Sequence, residues 1–259
     1  MTKLFELFFL LALLFVGNAS AETKDEKCTD DIYAIVGRDM KIKVFAPRTQ
    51  DGNIVSESCK SWPYNGDMTL SACAYDDGVQ YEKILIVVMI DKKAKHVVSS
   101  YRSVIGEDAI TEVGGSSLQL DTARYQLAKG VRAFGLRFNS SAIGASCGEA
   151  NWGNELTLLV PEGKKLRPVL NLHMYQQKSI QGCLSTQVPD AVWQDAEITI
   201  SIEKASTNSF YDLLATATIT NNSNGAPIGN TKARVEHHVF RYNGKYYEKG
   251  KAVPWWLGI

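Results

Sequence analysis

The sequence predicts an all-β protein, an antiparallel meander of about a dozen strands with little helix, closing as a sandwich or barrel or fanning into propeller-like blades. Three observations predict it. Apolar and polar residues alternate with period two along Met40-Ile42-Val44-Ala46, Leu118-Leu120 and Ala196-Ile198-Ile200-Ile202, the pattern of strands with one solvated face. Turn residues separate short apolar runs at hairpin spacing. Beyond Ala21, no stretch long enough for a helix keeps a clean 3.6-residue apolar period.

The chain opens on a segment of another kind. Lys3 gives a weakly positive start, Leu7 to Val16 is unbroken apolar sequence, and Ala19-Ser20-Ala21 ends it in a small-x-small pattern. The run is short of the ~20 apolar residues that cross a bilayer, and Glu22, Lys24 and Asp25 follow at once. Residues 1–21 therefore read as a signal peptide cut after Ala21, with Ala19 and Ala21 as its small residues. The remainder is expected to be exported, to the periplasm first and to the medium second. It divides into N-terminal strands and a loop over 22–66, packing on a main antiparallel β domain over 67–259.

Along that domain the hairpins follow from the turns. Asp91 to Lys95 separates Ile84–Ile90 from Val97–Tyr101, and Pro161 to Lys165 separates Leu156–Val160 from Leu166–Tyr175. Asn243-Gly244 separates Arg234–Tyr242 from Lys245–Glu248 and predicts a two-residue type I′ turn, which requires positive φ at both positions. Four segments resist a strand assignment: Thr49 to Gly66, Ser140 to Gly153, Lys178 to Ala191 and Asn221 to Thr231. Loops of such length in a compact domain are where a binding surface is expected.

Composition excludes some partners. With 28 basic and 28 acidic residues, the chain lacks the basic excess of a nucleic-acid binder. No membrane insertion is expected after signal removal, because the apolar run Ile84 to Ile90 is only strand-length and stops at Asp91-Lys92-Lys93.

Five cysteines in an exported chain point to bridges and leave at least one thiol over. Cys147 and Cys183 lie in glycine-rich polar loops and form the first expected pair; Cys28 with Cys59 is the second. Cys73, after Leu70 and Ala72, reads as a small buried hydrophobe.

Leu120-Asp-Thr-Ala-Arg-Tyr125 and Gly130-Val-Arg-Ala-Phe-Gly135, with Leu166-Arg-Pro-Val-Leu170 and Cys59-Lys-Ser-Trp-Pro63, resemble a block of a family of exported, periplasmic, β-rich bacterial proteins. The resemblance covers about half the chain and implies an envelope location and a shared fold. It brings no active site to carry over.

Motifs for catalysis are weak. Gly144-Ala-Ser-Cys-Gly148 fits the G-x-S-x-G elbow of serine hydrolases, but the strand-turn-helix context that raises such a serine is missing, so it reads as a disulfide loop. His96, His173, His237 and His238 contain no pair at ligand spacing, and neither a metal nor a cofactor is expected. His237 and His238 are adjacent and point to opposite faces of a strand. Asp76-Asp77, Glu107-Asp108 and Asp121 read as turn charges. Trp152, Trp255 and Trp256 are the candidate aromatic contacts for a partner, although a tail folded back to cover a sheet is the preferred reading of the last two.

These readings favour a soluble, non-catalytic binding or accessory protein of the bacterial envelope, holding a protein or glycan through loops on a β scaffold. An inhibitor or immunity protein against an envelope-targeting enzyme is the first alternative. A hydrolase with a dispersed carboxylate site is the second.

Overall fold

A computed structural model describes residues 27–145, 147–184, 190–223, 226–227 and 232–258. The signal segment, with Ala19 and Ala21, lies outside them, as does Ser146 of the G-x-S-x-G stretch.

The first described element corrects the sequence reading. Asp30–Asp39 is a helix, α1, with Asp30 and Asp31 in its first turn and Arg38 in its last. Those charges complement the partial charges at the two helix ends. Tyr33 and Val36 form a buried stripe, with Ile32 packed beside it. Met40 to Ala46 is no strand: Met40 caps the helix, the Ile42 amide donates to the Gly37 carbonyl, and Val44 is exposed.

The strands follow as β1 (Ile54–Ser61), β2 (Met68–Tyr75), β3 (Glu82–Asp91), β4 (His96–Gly106), β5 (Leu118–Ala128), β6 (Val131–Phe138) and β7 (Ala150–Glu162). After them come β8 (Lys165–Gln181), β9 (Val192–Thr207), β10 (Phe210–Ser223), β11 (Ala226–Pro227), β12 (Arg234–Tyr242) and β13 (Tyr247–Glu248). Consecutive pairs are antiparallel hairpins through β4, and again from β5 to β10. The all-β, mostly antiparallel architecture of the sequence reading is present, as an open folded sheet and not as blades around an axis.

The sheet folds into layers. One face of β1 to β3, with Leu70, Ala72, Leu85 and Val87, packs on Leu118, Leu120, Phe134 and Leu136 of β5 and β6. The opposite face, with Cys73, Ile84, Ile86 and Val88, is covered by α1. From β5 onward the sheet curls around a second core that includes Leu156, Leu172, Ala196, Leu213 and Phe240.

β1 occupies a stretch that the sequence reading assigned to a loop. Its alternation is inverted: Ser56, Ser58 and Lys60 are buried and face β5. There the Leu118 amide donates to Ser56 Oγ at 3.1 Å, the Leu120 amide to Ser58 Oγ at 3.0 Å, and Lys60 Nζ donates to the Leu120 carbonyl at 3.2 Å. These side chains satisfy Leu118 and Leu120 on an edge of β5 that no strand of the described residues pairs, standing in for a ladder there.

Both expected disulfides are formed. Cys28–Cys59 joins the segment before α1 to β1, with Cα atoms 5.1 Å apart, and Cys147–Cys183 joins the loops flanking β7 and β8, with Cα atoms 5.0 Å apart. Cys73 is free and buried. Asn243-Gly244 departs from the expected turn: the register Tyr242↔Tyr247 leaves four residues in the loop, and only Gly244 has positive φ, at 101°. Asn243 Oδ1 instead accepts from the amides of Lys245 and Tyr246, an Asx turn that needs no positive φ at Asn243.

Candidate functional site

β8 is the strand on which the sheet divides. Its partner on one side is β7 throughout, but on the other it touches β4 only at Ser100↔Lys165 and joins β9 only from Tyr175 onward. Between those points no strand of the described residues pairs that edge. The sequence supplies a cause. Pro168 has no amide proton, and it sits at a bulge where Leu158↔Leu170 gives way to Leu159↔Pro168. Proline is tolerated in sheets at edges and bulges for this reason.

The chain returns to this edge from the far side of the curl. β13 pairs with β12 through two residue pairs and is the last strand of its path, so its outer side is also unpaired. A groove of about 680 Å³ separates the two, walled by Pro168 to Asn171 and by Tyr246 to Lys251. Val169 and Leu170 are buried in its floor, while Tyr246 is 51% exposed. Arg167 Nη1 donates to the Lys245 carbonyl across one end. Lys245 and Lys251 are exposed on the returning wall, where Glu248 is the carboxylate.

Other groups fix the returning wall in place. The Lys249 carbonyl faces His238 Nε2 at 2.7 Å, and Lys249 Nζ donates to the Leu257 carbonyl. Tyr242 stacks on Phe210 with centroids 4.0 Å apart, and Tyr247 Oη donates to the Tyr211 carbonyl at 2.7 Å. On β8, His173 has a buried Nδ1 with no hydrogen-bond partner. Burial lowers its imidazole below the ordinary value, Glu155 opposes that, and Lys249 adds to it.

The aromatic residues singled out in the sequence are not gathered here. Trp256 is fully buried in the second core, and its Nε1 donates to Glu236 Oε2 at 2.7 Å, so it presents no surface to a partner. Trp255 is half-buried under the ammonium of Lys178, 4.6 Å from the ring centroid. Trp152, on β7, is half-buried with its ring 6.1 Å from that of His173.

The acidic residues hold turns. Asp76 Oδ1 accepts from the Gly78 amide, and its Oδ2 lies 3.5 Å from Lys83, which also binds Glu107. Asp121 accepts from the Ala123 amide, from Tyr125 Oη and from Arg137. Burial pushes the Asp121 carboxyl up, and those donors outweigh it, leaving it below the usual carboxylate range. A second groove, of about 500 Å³, lies between the segment after α1 and the turn after β2. Of its charged residues, Arg102 donates to Tyr75 Oη at 3.0 Å and Asp76 holds Lys83 and Arg48, while Lys41 and Lys43 line the same groove. Among the described residues no group of His, Cys, Asp and Glu is arranged to hold a metal ion.

Of the groove residues, Tyr246 and Tyr247 belong to the C-terminal aromatic cluster legible in the sequence, whereas Pro168 to Asn171 and Glu248 to Lys251 were missed. Pro168 inside a predicted strand was the available signal, because it marks where pairing on that strand is interrupted. Comparison with models of protein families, with curated proteins and with solved structures returned no match.

Proposed function

We propose that this is an exported, non-catalytic binding or accessory protein of the bacterial envelope that holds its partner along the groove between β8 and β13. The observation that carries the reading is the contrast between two sheet edges. The edge of β5 at Leu118 to Leu120 is satisfied by Ser56, Ser58 and Lys60, whereas the edge of β8 faces a groove with exposed tyrosine and lysine on its far wall. Open strand edges are usually blunted, because they template association, so one left open beside a groove is a binding feature.

Two disulfides are compatible with an oxidising compartment. Among the described residues no helix is long and apolar enough to cross a membrane. Asp76, Glu107 and Asp121, the carboxylates best placed for chemistry in the sequence, are committed to turn amides and neighbouring cations.

The test is affinity capture from an envelope extract by the chain lacking residues 1–21, beside Tyr246→Ala and Lys251→Glu variants. A partner retained by the unaltered chain and lost by both variants is the expected result. Capture that survives both substitutions, or hydrolysis of an envelope polymer by the purified chain, contradicts it.

A further inference from the structure

Both walls of the groove carry a strand edge without a paired neighbour among the described residues. One is β8 over Pro168 to Asn171, on the side away from β7, and the other is the outer side of β13 with the turn after it. A strand with a ladder on one side only turns alternate amides and carbonyls outward, and buried backbone polar groups are seldom left without partners. Side chains do not fill this need as they do on β5. Among the described residues, the bond that crosses between the walls is from Arg167 to the Lys245 carbonyl, at one end. Between Pro168–Asn171 and Tyr246–Lys251 the seam holds the groove, and toward Lys178 the turn Trp255–Leu257 packs against β8.

We propose that an extended, acidic polypeptide segment of a partner protein adds as a strand along the open edge of β8, opposite β13. This rests on the reading of the groove as the binding site and names its occupant. Strand addition draws affinity from main-chain hydrogen bonds, which suits two strand edges without neighbours, and specificity from alternate side chains. The acidic preference follows from charge. Lys245 and Lys251 on or beside the returning wall, with Lys164 and Lys165 at the start of β8, outnumber Glu248 and Glu162, while the Lys249 ammonium is engaged by the Leu257 carbonyl. Tyr246, exposed on the returning wall, is placed to meet the apolar alternate residues of the incoming strand.

The experiment uses a fluorescent peptide alternating valine with glutamate, added to the chain lacking residues 1–21. Its controls are the same peptide N-methylated at alternate positions and a version with lysine for glutamate. Anisotropy is expected to show binding that weakens about tenfold or more in each control and on Lys251→Glu, since a lost main-chain or charge-assisted bond is worth roughly a factor of ten. Hydrogen exchange is expected to slow in both 166–174 and 246–251 when the acidic peptide is bound. Absence of binding, equal binding of the N-methylated peptide, or protection of neither wall overturns strand addition. A captured envelope partner that still depends on Tyr246 and Lys251 would then leave the groove as the binding site, with another class of occupant.

Discussion

Single residues in this chain hold more than their types suggest. Asp121 ties the bulge of β5 to Arg137 of β6, and its carboxyl is held below the usual range. A depressed native pKa means that its stabilisation is fully present above the unfolded value of about 3.9 and is lost as pH falls through the folded value. Asp121→Asn is expected to lower unfolding free energy by about 1–3 kcal/mol at neutral pH, with a partner left unsatisfied. Urea melts over a pH series should show the gap between variant and parent narrowing below about pH 4. A gap that stays constant into strong acid would contradict the assignment. Cys73 shows the opposite effect: burial pushes its thiol up to about 12. It is expected to resist thiol reagents in the native protein and to react, as a single thiol, in denaturant without reductant. Reaction in the native state would mean that the packing of α1 over it is wrong.

At the scale of elements, the C-terminal turn Trp255–Leu257 is the clearest case of a segment that docks. Pro254 starts the turn, Trp256 enters the core, and Leu257 follows it. Trp256→Ala should cost about 3–5 kcal/mol, the range for large core aromatics, and lower the melting temperature by about 10 °C or more. A variant that melts like the parent would place the tail outside the core. Helix α1 is held at its start by Cys28–Cys59, which closes a sequence separation of 31 residues. Replacing both cysteines by serine is expected to destabilise by about 2–4 kcal/mol and to raise hydrogen exchange in α1 before β2 and β3. Equal loss of protection across all three elements would show that α1 is not a separate layer. These elements also show what the sequence made legible. β3, β4, β8 and β9 alternate or run apolar because one or both faces are buried, and hydrophobic period finds such strands. β1 was hidden because Ser56, Ser58 and Lys60 are its buried residues, so polarity pointed the wrong way. Helix α1 was hidden because its apolar stripe is short and runs into Met40 and Ile42, whose spacing imitates a strand. The disulfide pairs were accessible from loop composition. The groove was not, because it depends on where β9 leaves β8 and where β13 returns, and both are long-range facts.

At the scale of the whole molecule, the curl brings the last strand back toward the middle of the sheet without sealing it. Residues far apart in sequence, Pro168 to Asn171 and Tyr246 to Lys251, thereby become two walls of one groove. Circular dichroism should be strand-dominated, with helix well under the ~30% of an average domain, since the described α-helix is the ten residues of α1. The central claim is that partners bind at this seam and not elsewhere on the surface. Its most direct measurement is site-specific photo-crosslinking in cells expressing the chain, with a photoreactive amino acid at Tyr246 in the groove or at Tyr81, which is 67% exposed ahead of β3. The account predicts a discrete adduct from position 246, lost on Lys251→Glu, and none from position 81. An adduct from position 81 with none from position 246 would contradict it.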